Sequence, residues 1–233
     1  MENSKIIEKN KNSIILIEVF IPEVPESEKG KLSVRGTGFI ISPDGQFITC
    51  AHVYNQLSEN EKKHLRVNVP HEMDSKGITH YKRYGVELLK LDNENDVALM
   101  KIVDKNSGTF SVISKLGNSE SVSEGDEVIF LGYPLATELL ALGFGITMTT
   151  NSCIISSVKR RGIDGSLHFF LIDTHTNNGS SGSPVFLKST GEIIGIVSGR
   201  ISQKVDLPDR KLADIPANLG ICRPINYIKG LIK

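Results

Sequence analysis

What most constrains this chain is a succession of short runs rich in β-branched and aromatic residues, each closed by Gly, Pro, Asn or Asp. They read SIILIEVFI, GTGFIIS, QFITC, LRVNV, YGVELLKL, DVALMKIV, DEVIFLGY, CIISSV, HFFLID, SPVFL and EIIGIVSG. Runs of this length and residue type pair as strands, and their even spacing along the chain predicts a sandwich or barrels. Helical patterning is confined to residues 53–66 and the tail after Pro224. Nothing alternates as strand, helix, strand, which argues against a doubly wound sheet, and the expected fold class is all-β.

The 233 residues divide at a seam between Asp104 and Thr109, where KNSGT separates two apolar segments. This gives an N-terminal tail over 1–12, a first β unit over 13–106 and a second over 107–233 that ends in a short helix. The halves echo each other weakly. GTGFIIS-PDG-QFITCAH in the first is matched by SGSPVFL-KSTG-EIIGIVSG in the second.

Charge narrows the function. Lys+Arg and Asp+Glu are both 27, so no net field favours nucleic acid or an anionic membrane. Lys159-Arg160-Arg161 is a short hairpin-tip cluster, read as solvated. Phe130 to Met148 is the most apolar stretch, but Pro134, Glu138 and glycines 132, 143 and 145 break it, and a membrane span is not expected. Three cysteines, Cys50, Cys153 and Cys222, show no zinc or disulfide spacing. The opening segment is a poor match to a signal peptide, so a cytoplasmic setting is expected. With no phosphate-binding loop and no H-E-x-x-H, neither cofactor nor metal is expected.

Three segments carry chemistry. His52, in Thr49-Cys50-Ala51-His52, follows an apolar strand and small residues, a rigid mount for a general base. Asp96 opens the apolar run Val97-Ala98-Leu99-Met100. Alone it also fits a turn aspartate, but at the edge of a core strand it can hold an imidazole in one tautomer. In Asn178-Gly179-Ser180-Ser181-Gly182-Ser183-Pro184, glycines flank Ser181, allowing successive N–H groups to face one concavity.

The order His52, Asp96, Ser181 resembles the chymotrypsin-fold (trypsin-like) serine peptidases, closest in motifs to the bacterial HtrA/Deg protease domain. The matching pieces are Gly36-Thr37-Gly38-Phe39, Thr49-Cys50-Ala51-His52, Asp96-Val97-Ala98-Leu99, Gly125 through Pro134, Gly179 through Pro184, and Gly191-Glu192-Ile193-Ile194-Gly195. The resemblance implies two six-stranded antiparallel β-barrels with the active site in the cleft between them. It implies Ser181 as nucleophile, His52 as base, Asp96 as its orienting partner, and the N–H groups of Gly179 and Ser181 as the oxyanion hole. Protein or peptide would be the substrate, with no PDZ domain following.

The chain departs from the family in two places. Ser180 stands where zymogen-activated relatives carry Asp, so activation by a new N-terminus is not expected. His175 falls at the S1 floor by the family's spacing, which argues against an Arg/Lys preference, although Asp173 is two residues away. Ser198 and Gly199 should form the pocket wall, with Ser198 reaching the triad aspartate. Two further segments, Leu135 to Phe144 and the polar insertion Gln203 to Asn218, are candidate surfaces for a regulatory partner or a second copy. The rival readings are a catalytically silent binding module and an esterase using the same three residues.

Overall fold

A computed structural model of the chain describes residues 2–24, 32–103, 108–206 and 212–232. In order the elements are α1 (Asn3–Asn10), β1 (Ile14–Phe20), β2 (Leu32–Ile40), β3 (Gln46–Thr49), α2 (Ala51–Asn55), α3 (Glu59–Lys63), β4 (Leu65–Met73), β5 (Thr79–Asp92) and β6 (Val97–Ile102). The second half supplies β7 (Glu127–Gly132), α4 (Ala136–Ala141), β8 (Thr149–Arg160), β9 (Leu167–Ile172), β10 (Pro184–Leu187), β11 (Ile193–Asp206), β12 (Leu212–Pro224) and α5 (Ile225–Leu231).

Each set of six strands closes on itself. The first barrel runs β1-β2-β3-β6-β5-β4 and the second β10-β11-β12-β9-β8-β7, with every pairing between these strands antiparallel. The all-β, two-barrel architecture and the terminal helix therefore follow the expectation from sequence. Residues 104–107, most of the expected seam, lie outside the described residues.

Why some strands are apolar throughout, rather than alternating, is answered by what each face meets. Along β7, Val128 and Phe130 enter the core of the second barrel, while Ile129 and Leu131 join a cluster built mostly from the first. Strands β10 and β11 behave the same way, with Val185, Ile194 and Val197 facing one core and Phe186, Ile193 and Ile196 the other. A strand buried on both faces has no place for a polar residue.

Two segments differ from the sequence reading. The N-terminal tail is helical, and α1 is pinned by buried Ile6 and by Asn10, whose side chain donates to the Ile6 carbonyl and accepts from the Ser114 N–H. The polar insertion at 203–218 is largely strand, a prolongation of the β11–β12 hairpin with Gln203 paired to Ile215 and Lys204 to Asp214. Its tip, 207–211, lies outside the described residues.

Candidate active site

His52 lies in the first turn of α2, immediately after β3. Buried Cys50 anchors this corner by donating its thiol to the Val197 carbonyl of the second barrel (3.2 Å). Across the seam, the imidazole Nε2 is 2.9 Å from Ser181 Oγ. The other ring nitrogen, Nδ1, is 2.9 and 3.0 Å from the two Asp96 carboxylate oxygens, and the His52 backbone N–H also donates to Asp96 (2.9 Å). An ionised carboxylate only accepts, so Nδ1 carries the proton and Nε2 is left to accept from the serine hydroxyl.

Asp96 ends the turn between β5 and β6 with φ of 56°, the left-handed region that costs a non-glycine residue energy. Burial by itself would raise its pKa. Hydrogen bonds from the His52 ring and from Ser198 Oγ, the charge of the imidazole and the His52 N–H outweigh that burial and hold the carboxyl below its usual range.

The backbone at 178–182 is shaped by contacts to the first barrel. Gly179 (φ 93°) and Gly182 (φ 89°) are left-handed, and a Cβ on them would fall against the carbonyl oxygens of Tyr133 and Thr37 respectively. Fully buried Thr37 is the main tie. Its N–H donates to the Ser181 carbonyl (2.8 Å), and its Oγ1 donates to the Gly179 carbonyl (2.7 Å) while accepting from the Tyr133 N–H (3.0 Å). The Asn178 carbonyl is taken by the Leu135 N–H (2.8 Å). A trans peptide points its N–H opposite its C=O, so this bond turns the Gly179 N–H away from Leu135. Ser180 N–H is bonded to the Asn177 carbonyl, whereas those of Gly179 and Ser181 have no acceptor among the described residues.

A cleft of about 570 Å³ opens here, bordered by His52, Gly179, Ser181, Ser198 and Gly199. A larger groove, about 980 Å³, runs between the β4–β5 hairpin and residues 144–148 and contains none of the three convergent side chains. The cleft differs from expectation at His175, which is exposed and outside the lining. The next residue, buried Thr176, borders the cleft instead, with its Oγ1 donating to the Gly199 carbonyl (2.8 Å). Asp173 is likewise spent elsewhere, accepting from the Ile154 N–H (2.7 Å). Thr176, Thr37 and Leu135 were not singled out from sequence. Only Thr37 had a visible signal, its place within Gly36-Thr37-Gly38.

Cys50, His52 and Asp96 gather ligand atoms within 4.8 Å of one another. Burial pushes the Cys50 thiol well above its ordinary pKa, and the Asp96 charge adds to the shift. A thiol that stays protonated is a poor nucleophile, and Cys50 packs behind His52 with its Sγ–H on the Val197 carbonyl.

Paired barrels with His, Asp and Ser converging at their seam define a chymotrypsin-fold protein. Residues 36–196 match the family described as trypsin-like peptidase domain, and the chain belongs to that family. It is 36% identical over 165 residues to the magnetosome formation protease MamE of Paramagnetospirillum magneticum, covering 69% of this chain and 19% of that protein. It is 30% identical over 188 residues to a probable periplasmic serine endoprotease DegP-like of Chlamydia pneumoniae, covering 78% and 32%. To serine protease HTRA1 of Xenopus tropicalis it is 28% identical over 214 residues, covering 89% and 40%. The matches thus span well under half the length of these relatives. Among solved structures it resembles Deg5, with a TM-score of 0.66, 21% identity, and coverage of 98% of this chain and 90% of that one.

Proposed function

We propose that this chain is a serine endopeptidase that cleaves peptide bonds through an acyl-enzyme. The observation that carries the reading is the 2.9 Å contact of His52 Nε2 with Ser181 Oγ, made while Nδ1 is held by Asp96. In the proposed cycle Ser181 Oγ attacks the scissile carbonyl and its proton passes to Nε2. Asp96 stabilises the imidazolium without itself taking the proton. Charge developing on the carbonyl oxygen is met by the N–H groups of Gly179 and Ser181, each donor worth about 3–4 kcal/mol in the transition state. The imidazolium then protonates the leaving amine, and water, activated by the same ring, releases the acyl group.

Ser198 and Gly199 would border the S1 side, with Thr176 rather than His175 turned toward it. The names of the MamE, DegP-like and HTRA1 relatives support a protein substrate. Leu142 and Phe144, 72% and 69% exposed beyond α4, and the β11–β12 hairpin are the surfaces we assign to contact with a regulator or second copy. Three free thiols support a reducing, cytoplasmic setting, against the periplasmic setting in the DegP-like relatives' names. Among the described residues no helix is long and apolar enough to cross a membrane.

The test is a fluorophosphonate probe followed by matched peptide and ester substrates. Labelling should occur at Ser181, and Ser181→Ala should lower peptide turnover by about 10⁴-fold or more with the fold intact. A probe-labelled protein that turned over esters but no peptide would favour the esterase reading. An unlabelled one would favour the silent module.

A further inference from the structure

Arg161, at the β8–β9 hairpin, was read from sequence as part of a solvated cluster, yet its side chain is 29% exposed and bonded through all three nitrogens. Nη1 donates to Glu94 Oε1, Nη2 to Asn95 Oδ1 and Nε to the Tyr227 hydroxyl, each at 3.1 Å. Tyr227, on α5, is fixed in turn by donating its hydroxyl to the Leu167 carbonyl (3.0 Å). Glu94 and Asn95 belong to the turn whose last residue is Asp96.

We propose that Arg161 is a positioning residue for the triad, clamping the 92–96 turn from the second barrel so that the Asp96 carboxylate faces both the backbone and the ring of His52. The turn's final residue sits at φ 56°, a left-handed conformation that aspartate adopts at a modest cost and that an external hold helps to keep. From within the first barrel, Asp92 accepts from the Asn95 N–H (3.0 Å) and side-chain amide (2.7 Å), and Asn55 of α2 donates to Asn93 (2.7 Å). These contacts shape the turn but do not tie it to the barrel that carries Ser181. Ser198 reaches only the carboxylate itself, whereas Arg161 holds the chain segment that presents it. The planar guanidinium serves three acceptors at fixed angles, which an ammonium cannot do.

The kinetic consequence rests on the endopeptidase reading, and the structural one does not. Arg161→Ala and Arg161→Lys should be compared in the wild-type and Asp96→Asn backgrounds. Two readouts are needed, kcat and KM on a peptide and the downfield proton NMR resonance of His52 Nδ1–H. In the otherwise wild-type chain, Arg161→Ala should lower kcat about 10- to 100-fold with KM little changed, and broaden or lose the resonance. Arg161→Lys should be intermediate, and in the Asp96→Asn background neither change should add a further loss. An unchanged resonance and kcat in folded Arg161→Ala, or equal losses in both backgrounds, would overturn the proposal. If the alanine variant does not fold, the lysine variant decides by the same readouts. A wild-type chain without turnover would sink the endopeptidase reading instead and leave the resonance to decide the role of Arg161.

Discussion

Asp96 concentrates the electrostatics of the site. Its native carboxyl titrates below the usual range, so the ionised form stabilises the fold above the unfolded-state value of about 4 and that contribution is lost as the pH falls through the depressed native value. Asp96→Asn should therefore be less stable than wild type near neutrality, and the gap should close below about pH 4 in urea titrations run at successive pH values. A gap of constant size would mean that the carboxylate is not what His52 and Ser198 stabilise. At this scale small residues and glycines mark the backbone around His52 and Ser181, whereas Asp96 read alone also fits a turn aspartate and was singled out by its place in the His, Asp, Ser order. Thr176 and Arg161 were not. The inward position of Thr176 depends on how an irregular segment after β9 meets the cleft, and the role proposed for Arg161 depends on a turn far away in sequence.

Strands were readable from sequence because continuous β-branched runs have few other stable uses, but the barrel order β1-β2-β3-β6-β5-β4 is not the chain order, and closure was expected only from the family resemblance. Helices α1 and α4 were not. The first, NSKIIEKN, has little apolar periodicity and is held by tertiary contacts of Ile6 and Asn10. The second begins after Leu135, which sits at φ 52°, a conformation that no pattern in Pro134-Leu135-Ala136 announces. The Leu135 residue links this element to the proposed oxyanion hole, since its N–H restrains the Asn178 carbonyl and with it the direction of the Gly179 N–H. Proline at 135 removes that N–H and cannot adopt the positive φ. Leu135→Pro should retain the β-type circular dichroism signal and lose about 10²-fold in kcat, comparable to losing one oxyanion donor. Full activity in that variant would show that other contacts orient the 178–179 peptide.

Across the whole molecule, the two barrels share apolar surface. Ile129, Leu131, Phe186, Ile193 and Ile196 are all fully buried and come from the second barrel, yet they pack into the cluster dominated by the first. Burying a large aliphatic or aromatic side chain contributes about 1.5–3 kcal/mol, so separating the barrels would cost a large part of the stability of a typical domain. Scanning calorimetry should accordingly show one transition whose calorimetric and van't Hoff enthalpies agree. Two resolved transitions would mean that the shared surface is too weak to couple the halves. The tie through Thr37 carries a different implication. The loop bearing Ser181 takes its shape from a threonine in the opposite half, so the barrels are poor cassettes for exchange among homologues. A chimera assembled at the 104–107 connection would inherit a matched pair only if the donors agree at Gly36-Thr37-Gly38 and throughout 179–183. Divergence in one of these segments is therefore constrained by the other.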